Sequence, residues 1–314
     1  MNPLARGHIT TMHKLTDTII ATAGRIVLGK ERQIRLALAC ILARGHLLIE
    51  DLPGMGKTTL AHTLAQVLGL KFSRVQFTSD LLPADILGVS VYNRNQADFE
   101  FHPGPVFTNV LLADEVNRAT PKTQSALLEA MEEGQVTTDG MTRALPRPFF
   151  VIATQNPARH IGTFPLPESQ LDRFLMRIAL GYPGHDAERD LLKNLGGRAH
   201  TADIAACTDA QGLLQLQAEA ARVTVSDALL DYLQAILAFS RTSPRYNGGL
   251  SPRAGIALKQ CAQAWALMEG RDFVLPEDVQ AVLPGVAGHR LHAAGHEKNG
   301  DDDVEVLLKS VAVP

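Results

Sequence analysis

Lys57 and Thr58 close the run Glu50-Asp51-Leu52-Pro53-Gly54-Met55-Gly56 and are followed by Thr59. A lysine and a hydroxyl where a glycine-rich loop opens a helix make a phosphate cradle. Backbone N–H groups and the positive helix end face the anion, the lysine reaches the β- and γ-phosphates, and the hydroxyl ligates Mg2+. The general pattern GxxxxGK[ST] asks for glycine where this chain has Asp51. A pair of carboxylates, Asp114-Glu115, ends the apolar run Val110-Leu111-Leu112-Ala113. At a strand tip Asp114 would hold the Mg2+ shell and Glu115 would orient and polarise an attacking water. Taken alone, the pair could equally cap a following helix. The amide of Asn156, just past an apolar run at 149–154, could hold that water or touch the γ-phosphate, or serve only as a turn former before Pro157. Arg173 could stabilise transition-state charge or pair with Asp172 or Glu168, and Arg253 could close onto the phosphates or stay solvated at a helix start.

These residues need strands ending at one edge and helices to cover them. Leu47-Leu48-Ile49 precedes the loop, and Leu60, Leu64, Val67 and Leu68 after it share one helix face that ends at Gly69. Further strand candidates at 74–77, 110–113 and 149–154 alternate with helical segments, which argues for a parallel sheet covered on both faces. Upstream, residues 1–30 carry a short amphipathic helix (Leu15, Ile19, Ile20) leading to Ile26-Val27-Leu28-Gly29, and a second helix spans about 31–43.

Two segments break the rhythm as hairpins. In one, Val89 and Val91, then Phe99 and Phe101, flank a polar tip at 93–98. In the other, residues 135–138 meet 141–143 across Asp139-Gly140, a dipeptide suited to a type I′ turn. Past Tyr182-Pro183-Gly184 the chain turns helical at 213–221, 228–240, 252–268 and 276–282, with Ser251 capping the helix that carries Arg253, and a last strand candidate at 304–308. The division expected is a nucleotide-binding αβα core over 1–185 and a helical lid over 186–314, joined at a 182–190 linker.

The whole chain narrows the function. A net charge of −3 over 314 residues gives no long-range field for nucleic acid, so nucleic acid is not the expected partner. Charged or amide residues interrupt every apolar run, and the first residues carry no apolar leader, so a cytoplasmic protein with no membrane span is expected. Cys40, Cys207 and Cys261 form no CxxC and read as small buried apolar residues. His289, His292 and His296 are spaced closely enough to raise a metal site, with a solvated lid-helix face as the plainer reading, and no HExxH occurs.

In this order the pieces resemble the AAA+ ATPases, specifically the MoxR family, through residues 50–59, 81–88, 101–107, 113–134, 153–157, 166–174 and 251–254. The stretch Ala-Asp-Glu-Val-Asn-Arg-Ala-Thr-Pro-Lys-Thr-Gln-Ser-Ala-Leu-Leu-Glu-Ala-Met-Glu-Glu is the most specific. The resemblance implies a P-loop α/β core with two inserted hairpins near a ring's pore and an all-α lid. It implies Walker A at Lys57 and Thr58, Walker B at Asp114 and Glu115, sensor 1 at Asn156, an arginine finger at Arg173 and sensor 2 at Arg253. ATP and Mg2+ are the implied cofactors, with residues 51–59 around the phosphates and adenine near Val27. Asp51 is no defect in this light, since Glu-Asp-x-Pro-Gly-x-Gly-Lys-Thr is common in the family.

The implied activity is ATP hydrolysis by a homo-oligomeric ring, expected to be a hexamer. It is coupled to chaperone-like remodelling of a protein client, with a von Willebrand factor A domain protein as partner. Arg173 would act on the neighbouring subunit's nucleotide, and Arg253 would change the angle between core and lid. A nucleic-acid motor, a metal-chelatase-type ATPase subunit and a nucleotide-gated scaffold are the competing readings. Against the motor, the second hairpin's tip carries no cation before Arg143.

Overall fold

A computed structural model describes residues 3–95, 97–156, 163–193, 204–292 and 300–313. In chain order these residues form α1 (Pro3–Gly24), α2 (Glu31–Leu42), β1 (Leu47–Glu50), α3 (Lys57–Val67), β2 (Phe72–Gln76) and α4 (Pro83–Leu87). Next come β3 (Gly88–Asn93), β4 (Asp98–Pro103), β5 (Val110–Asp114), α5 (Pro121–Glu133), β6 (Gln135–Thr138), β7 (Met141–Ala144) and β8 (Phe150–Gln155). The remainder is α6 (Glu168–Leu171), β9 (Met176–Ile178), α7 (His185–Lys193), α8 (Ala210–Arg222), α9 (Asp227–Thr242), α10 (Pro252–Met268), α11 (Pro276–Ala287) and α12 (Gly300–Ser310).

Five strands form one parallel sheet in the order β2-β5-β8-β1-β9. Side chains alternate across each strand, so one sheet builds two cores. Leu48, Leu111, Ala113, Val151 and Ala153 face Ile86 of α4 and Leu127, Leu128 and Met131 of α5. Leu47, Ile49, Val110, Leu112, Ile152 and Ile178 face α2 and α3, and that core runs on without a break through α1 into Leu216, Leu258, Leu267 and Val279 of the lid helices. Each fully buried Leu or Ile in such a core contributes on the order of 2 kcal/mol. The C-terminal helices therefore sit on the flank of the sheet.

Capping explains where the helices begin. Thr120, Asp209, Ser226 and Ser251 each accept a backbone N–H from the first turn of α5, α8, α9 and α10, and Pro121 and Pro252 occupy first-turn positions that need no donor. Gly134 ends α5 in the left-handed conformation, at φ 62°.

Both hairpins form as expected. β3 pairs antiparallel with β4, and β6 with β7 across Asp139-Gly140, at φ 54° and 73°, the positive pair a type I′ turn needs. Arg143 stacks over the ring of Phe101, 3.8 Å from its centroid, and so links the two hairpins.

The segment at 304–308 is not a strand but part of helix α12. The alternation Val304-Glu305-Val306 imitates strand periodicity, whereas the buried residues are Val304, Leu307 and Val311, at helical spacing. The first helix is also longer than a short amphipathic one, at 22 residues. α7 begins inside the 182–190 segment expected to be a linker.

No helix among the described residues is long and apolar enough to cross a membrane. Cys40 and Cys261 are buried free thiols pushed upward in pKa chiefly by burial, Cys261 to about 12, and Cys207 is half-buried.

Candidate nucleotide site

β1 ends at Glu50, and the chain turns through Gly54 and Gly56, at φ 84° and 88°, before α3 starts at Lys57. Only glycine adopts these angles without strain, and a Cβ at either would meet nothing within 4 Å, so the loop wraps open space. Leu52, Pro53 and Gly54 are exposed, Met55, Gly56 and Thr58 half-buried, and Thr59 exposed. An arch of backbone at a helix N-terminus around open space suits a polyphosphate.

The arch is braced from outside. Asp51 Oδ2 accepts the N–H groups of Leu180 (2.7 Å) and Gly181 (2.6 Å), at the exit of β9. Lys30 Nζ donates to the carbonyls of Leu180 and Tyr182, both at 2.7 Å. The buried Val27 lies in the turn just before Lys30, and a Cβ on Gly29 would come within 2.7 Å of Ala187 in α7. Val27 thus sits on the same side of the sheet as the loop, tied to it through Lys30, residues 180–182 and Asp51. In Asp51 the general consensus loses a glycine and gains a strut.

Lys57 Nζ donates to Asp51 O (2.6 Å), Gln155 O (3.3 Å) and Asn156 Oδ1 (2.9 Å). Burial lowers its pKa, opposed by the carboxylates of Asp51, Asp114, Glu115 and Glu50. Asn156 Nδ2 in turn donates to Glu115 Oε1 (3.2 Å), which joins the lysine and the carboxylate through one amide.

Glu115 has left-handed backbone angles, φ 57° and ψ 49°, and its N–H donates to Thr154 Oγ1 at 2.9 Å. Gln76 Nε2 and Arg118 Nε both lie 3.0 Å from its Oε2. Asp114 Oδ1 accepts from Thr154 Oγ1 (2.6 Å), and its Oδ2 accepts Arg74 Nη2 (2.5 Å) and Nε (3.2 Å). The Asp114 carboxylate is an oxygen donor of the kind Mg2+ takes, and Arg74 and Thr154 hold it in place.

Asp51, Lys57, Asp114, Glu115 and Asn156 therefore converge at the C-terminal edge of the sheet, beside β1, where the strand order reverses and α/β proteins bind ligands. Arg74, Gln76 and Thr154 belong to the same cluster and were not singled out in the sequence. Along the chain their strands show only an apolar pattern, and pairing of β2 with β5 and of β5 with β8 is what brings them to the acids.

Arg173 and Arg253 lie elsewhere. Arg173 Nη1 is 3.1 Å from Glu132 Oε2, and Arg253 Nη1 is 3.3 Å from Oε1 of the same residue. Glu132 is in the last turn of α5, beside Met131, whose carbonyl meets His46 Nε2 at 3.0 Å just ahead of β1. Both arginines thus occupy the N-terminal edge of the sheet, a strand's length or more from Lys57. Asp172, considered as a partner for Arg173, instead pairs with the buried Arg290 at 2.6 Å.

His289 is buried with Nε2 on Phe174 O, and its pKa is held well below the usual imidazole value by burial and then by Arg290 and Arg177. His292 pairs with Glu168 at 3.1 Å, and His296 lies outside the described residues. Among the described residues no cluster of three or more His, Cys, Asp or Glu is arranged to hold a metal.

A five-stranded parallel sheet with a glycine arch after its first strand, an acid pair at the tip of β5 and a helical lid defines an AAA+ P-loop ATPase. Residues 46–176 match the model of the ATPase family associated with various cellular activities, and residues 238–308 match the AAA lid domain. Chaperone MoxR1 of Mycobacterium tuberculosis is 40% identical over 99% of this chain and 85% of its own length. Protein YeaC of Bacillus subtilis is 44% identical over 96% of this chain and 94% of its own. A crystal structure of a Cytophaga hutchinsonii protein superposes with a TM-score of 0.90 at 35% identity, over 99% of this chain and 98% of that one. The chain belongs to the MoxR family of AAA+ ATPases.

Proposed function

We propose that the chain hydrolyses ATP in a homo-oligomeric ring, a hexamer, with each active site shared between two subunits. The observation that carries this reading is the separation of the site's parts. Lys57, Asp114, Glu115 and Asn156 sit at one edge of the sheet, while Arg173 and Arg253 meet on Glu132 at the other. Within one protomer neither guanidinium reaches the phosphates beyond Lys57, so an assembled ring supplies them from the neighbour. Arg253 therefore acts across the subunit boundary too, and not by closing onto its own subunit's phosphates.

In this reading the arch over 51–59 holds the phosphates, Lys57 exchanges Asn156 for them, and Val27 lies against the adenine. Thr58 and Asp114 would hold Mg2+, which when bound would neutralise phosphate charge. Glu115 polarises the attacking water while Asn156 fixes its position. Arg173 and Arg253 of the neighbour meet the charge that develops on the transferred phosphoryl oxygens. The lid over 186–314 packs on the core over 1–185, so a change at the subunit boundary reaches both.

The output we propose is chaperone-like remodelling of a protein client, with a von Willebrand factor A domain protein as partner. The name of the MoxR1 relative supports a chaperone role, and the exposed apolar residues of the linked hairpins, Val91, Tyr92, Phe99 and Met141, suit a protein surface better than a nucleic acid.

Complementation between subunits tests the shared site. Glu115→Gln and Arg173→Ala proteins should each be nearly inactive alone, the finger alone being worth about 10³-fold or more. Mixed, they should recover activity, because some interfaces combine an intact Glu115 with an intact Arg173. Assembly of the mixture without recovery would overturn the shared-site reading.

A further inference from the structure

A cavity of about 290 Å³ opens at the N-terminal edge of the sheet, lined among others by Arg44, His46, Glu132, Arg173, Arg253 and Arg290. Its charges do not balance. Asp172 is committed to Arg290 Nε at 2.6 Å, which leaves the single carboxylate of Glu132 for both Arg173 and Arg253. Each guanidinium takes one of its two oxygens, as each would take one oxygen of a phosphoryl group. Arg253 also sits in the first turn of α10, where the helix end adds positive potential. The pair is therefore built for more negative charge than the chain itself supplies.

We propose that Glu132 is a built-in stand-in for the terminal phosphate of the neighbouring subunit's nucleotide. It keeps Arg173 and Arg253 side by side and occupied until a ring forms. This rests on the shared-site reading above and adds a regulatory residue to it. On assembly the two guanidiniums exchange a carboxylate for a phosphate of higher charge. The clasp holds loosely, because Glu132 and Arg253 side chains are 37% and 50% exposed and such pairs are screened by water. It thus sets the concentration at which rings become active without blocking them.

The test is the ATPase rate per subunit against protein concentration, together with sedimentation velocity in a non-hydrolysable ATP analogue. Glu132→Gln keeps the side chain's shape and removes its charge. Both midpoints should move to a concentration roughly three- to tenfold lower, the range set by two exposed pairs. Glu133→Gln, an exposed change of the same charge on the same helix but outside the cavity, should move neither. An unchanged midpoint in Glu132→Gln, a shift to higher concentration, or a lower maximal rate would overturn the proposal.

If Glu132→Gln fails to fold, Glu132→Asp, too short to span both arginines, should shift both midpoints the same way by less, and no shift overturns the idea. The two layers separate cleanly. If Arg173→Ala and Arg253→Ala leave the rate intact, the shared-site reading fails. If they abolish it while the Glu132 variants move no midpoint, only the clasp fails.

Discussion

Lys57 and Asn156 hold each other: Nζ lies 2.9 Å from Oδ1, at a buried contact between the helix opening at Lys57 and the tip of β8. A lysine partly stripped of water needs acceptors, and here they are Asn156 and two carbonyls. Through its Nδ2 the same amide donates to Glu115, so Asn156 links the lysine to the carboxylate.

The two residues consequently predict different losses. Lys57→Ala should weaken ATP binding by about 10- to 100-fold, as expected for one charge-assisted bond to phosphate. Asn156→Ala should leave affinity nearly unchanged and lower turnover by about 100-fold. Equilibrium titration with a fluorescent ATP analogue, set beside steady-state turnover, separates them. Equal losses of affinity in both variants would show that Asn156 only binds.

Asp51 predicts an effect opposite to consensus reasoning. Asp51→Gly restores the general phosphate-loop pattern but deletes the acceptor for Leu180 and Gly181, and adds a flexible residue to the unfolded chain. Two half-buried charge-assisted bonds are lost, so stability should fall by about 2 kcal/mol. Urea denaturation checks it, and a midpoint equal to or above wild type would show that the strut contributes nothing.

Much of this was legible in the chain because the informative residues are contiguous. The arch needs its glycines and lysine in sequence, and Asp139-Gly140 is a dipeptide that tolerates the two positive φ angles its turn adopts. What was hidden is set by long-range pairing. Arg74 and Thr154 meet on Asp114 only because β5 lies between β2 and β8, and Glu132 meets two arginines from α10 and the segment before β9. β9 itself, three residues long, is too short to show a period. The sequence shows only that Arg253 opens a helix, where it could close onto the phosphates or stay solvated; the lid's packing against α1 and α2 sets it at the far edge.

His46 makes stability depend on pH. Its Nδ1 accepts the Val151 N–H at 2.9 Å, so Nε2 carries the proton and donates to Met131 O at 3.0 Å. A second proton would have to go on Nδ1, against that N–H. Burial pushes the pKa down to about 4, opposed by the Met131 bond and reinforced by Arg253. Between about pH 4 and the ordinary value of 6.5 the unfolded chain binds a proton that the folded chain refuses. The stabilisation is therefore complete above 6.5 and lost as pH falls toward 4, by up to about 3 kcal/mol. His289, buried and likewise lowered, adds a slope of the same sign. Urea denaturation at several pH values should show stability rising from 4 to 6.5, with a slope that flattens in part in His46→Gln, where the amide can still accept from Val151 and donate to Met131. An unaltered slope in a folded His46→Gln protein would place the effect on other groups and remove His46 as its source.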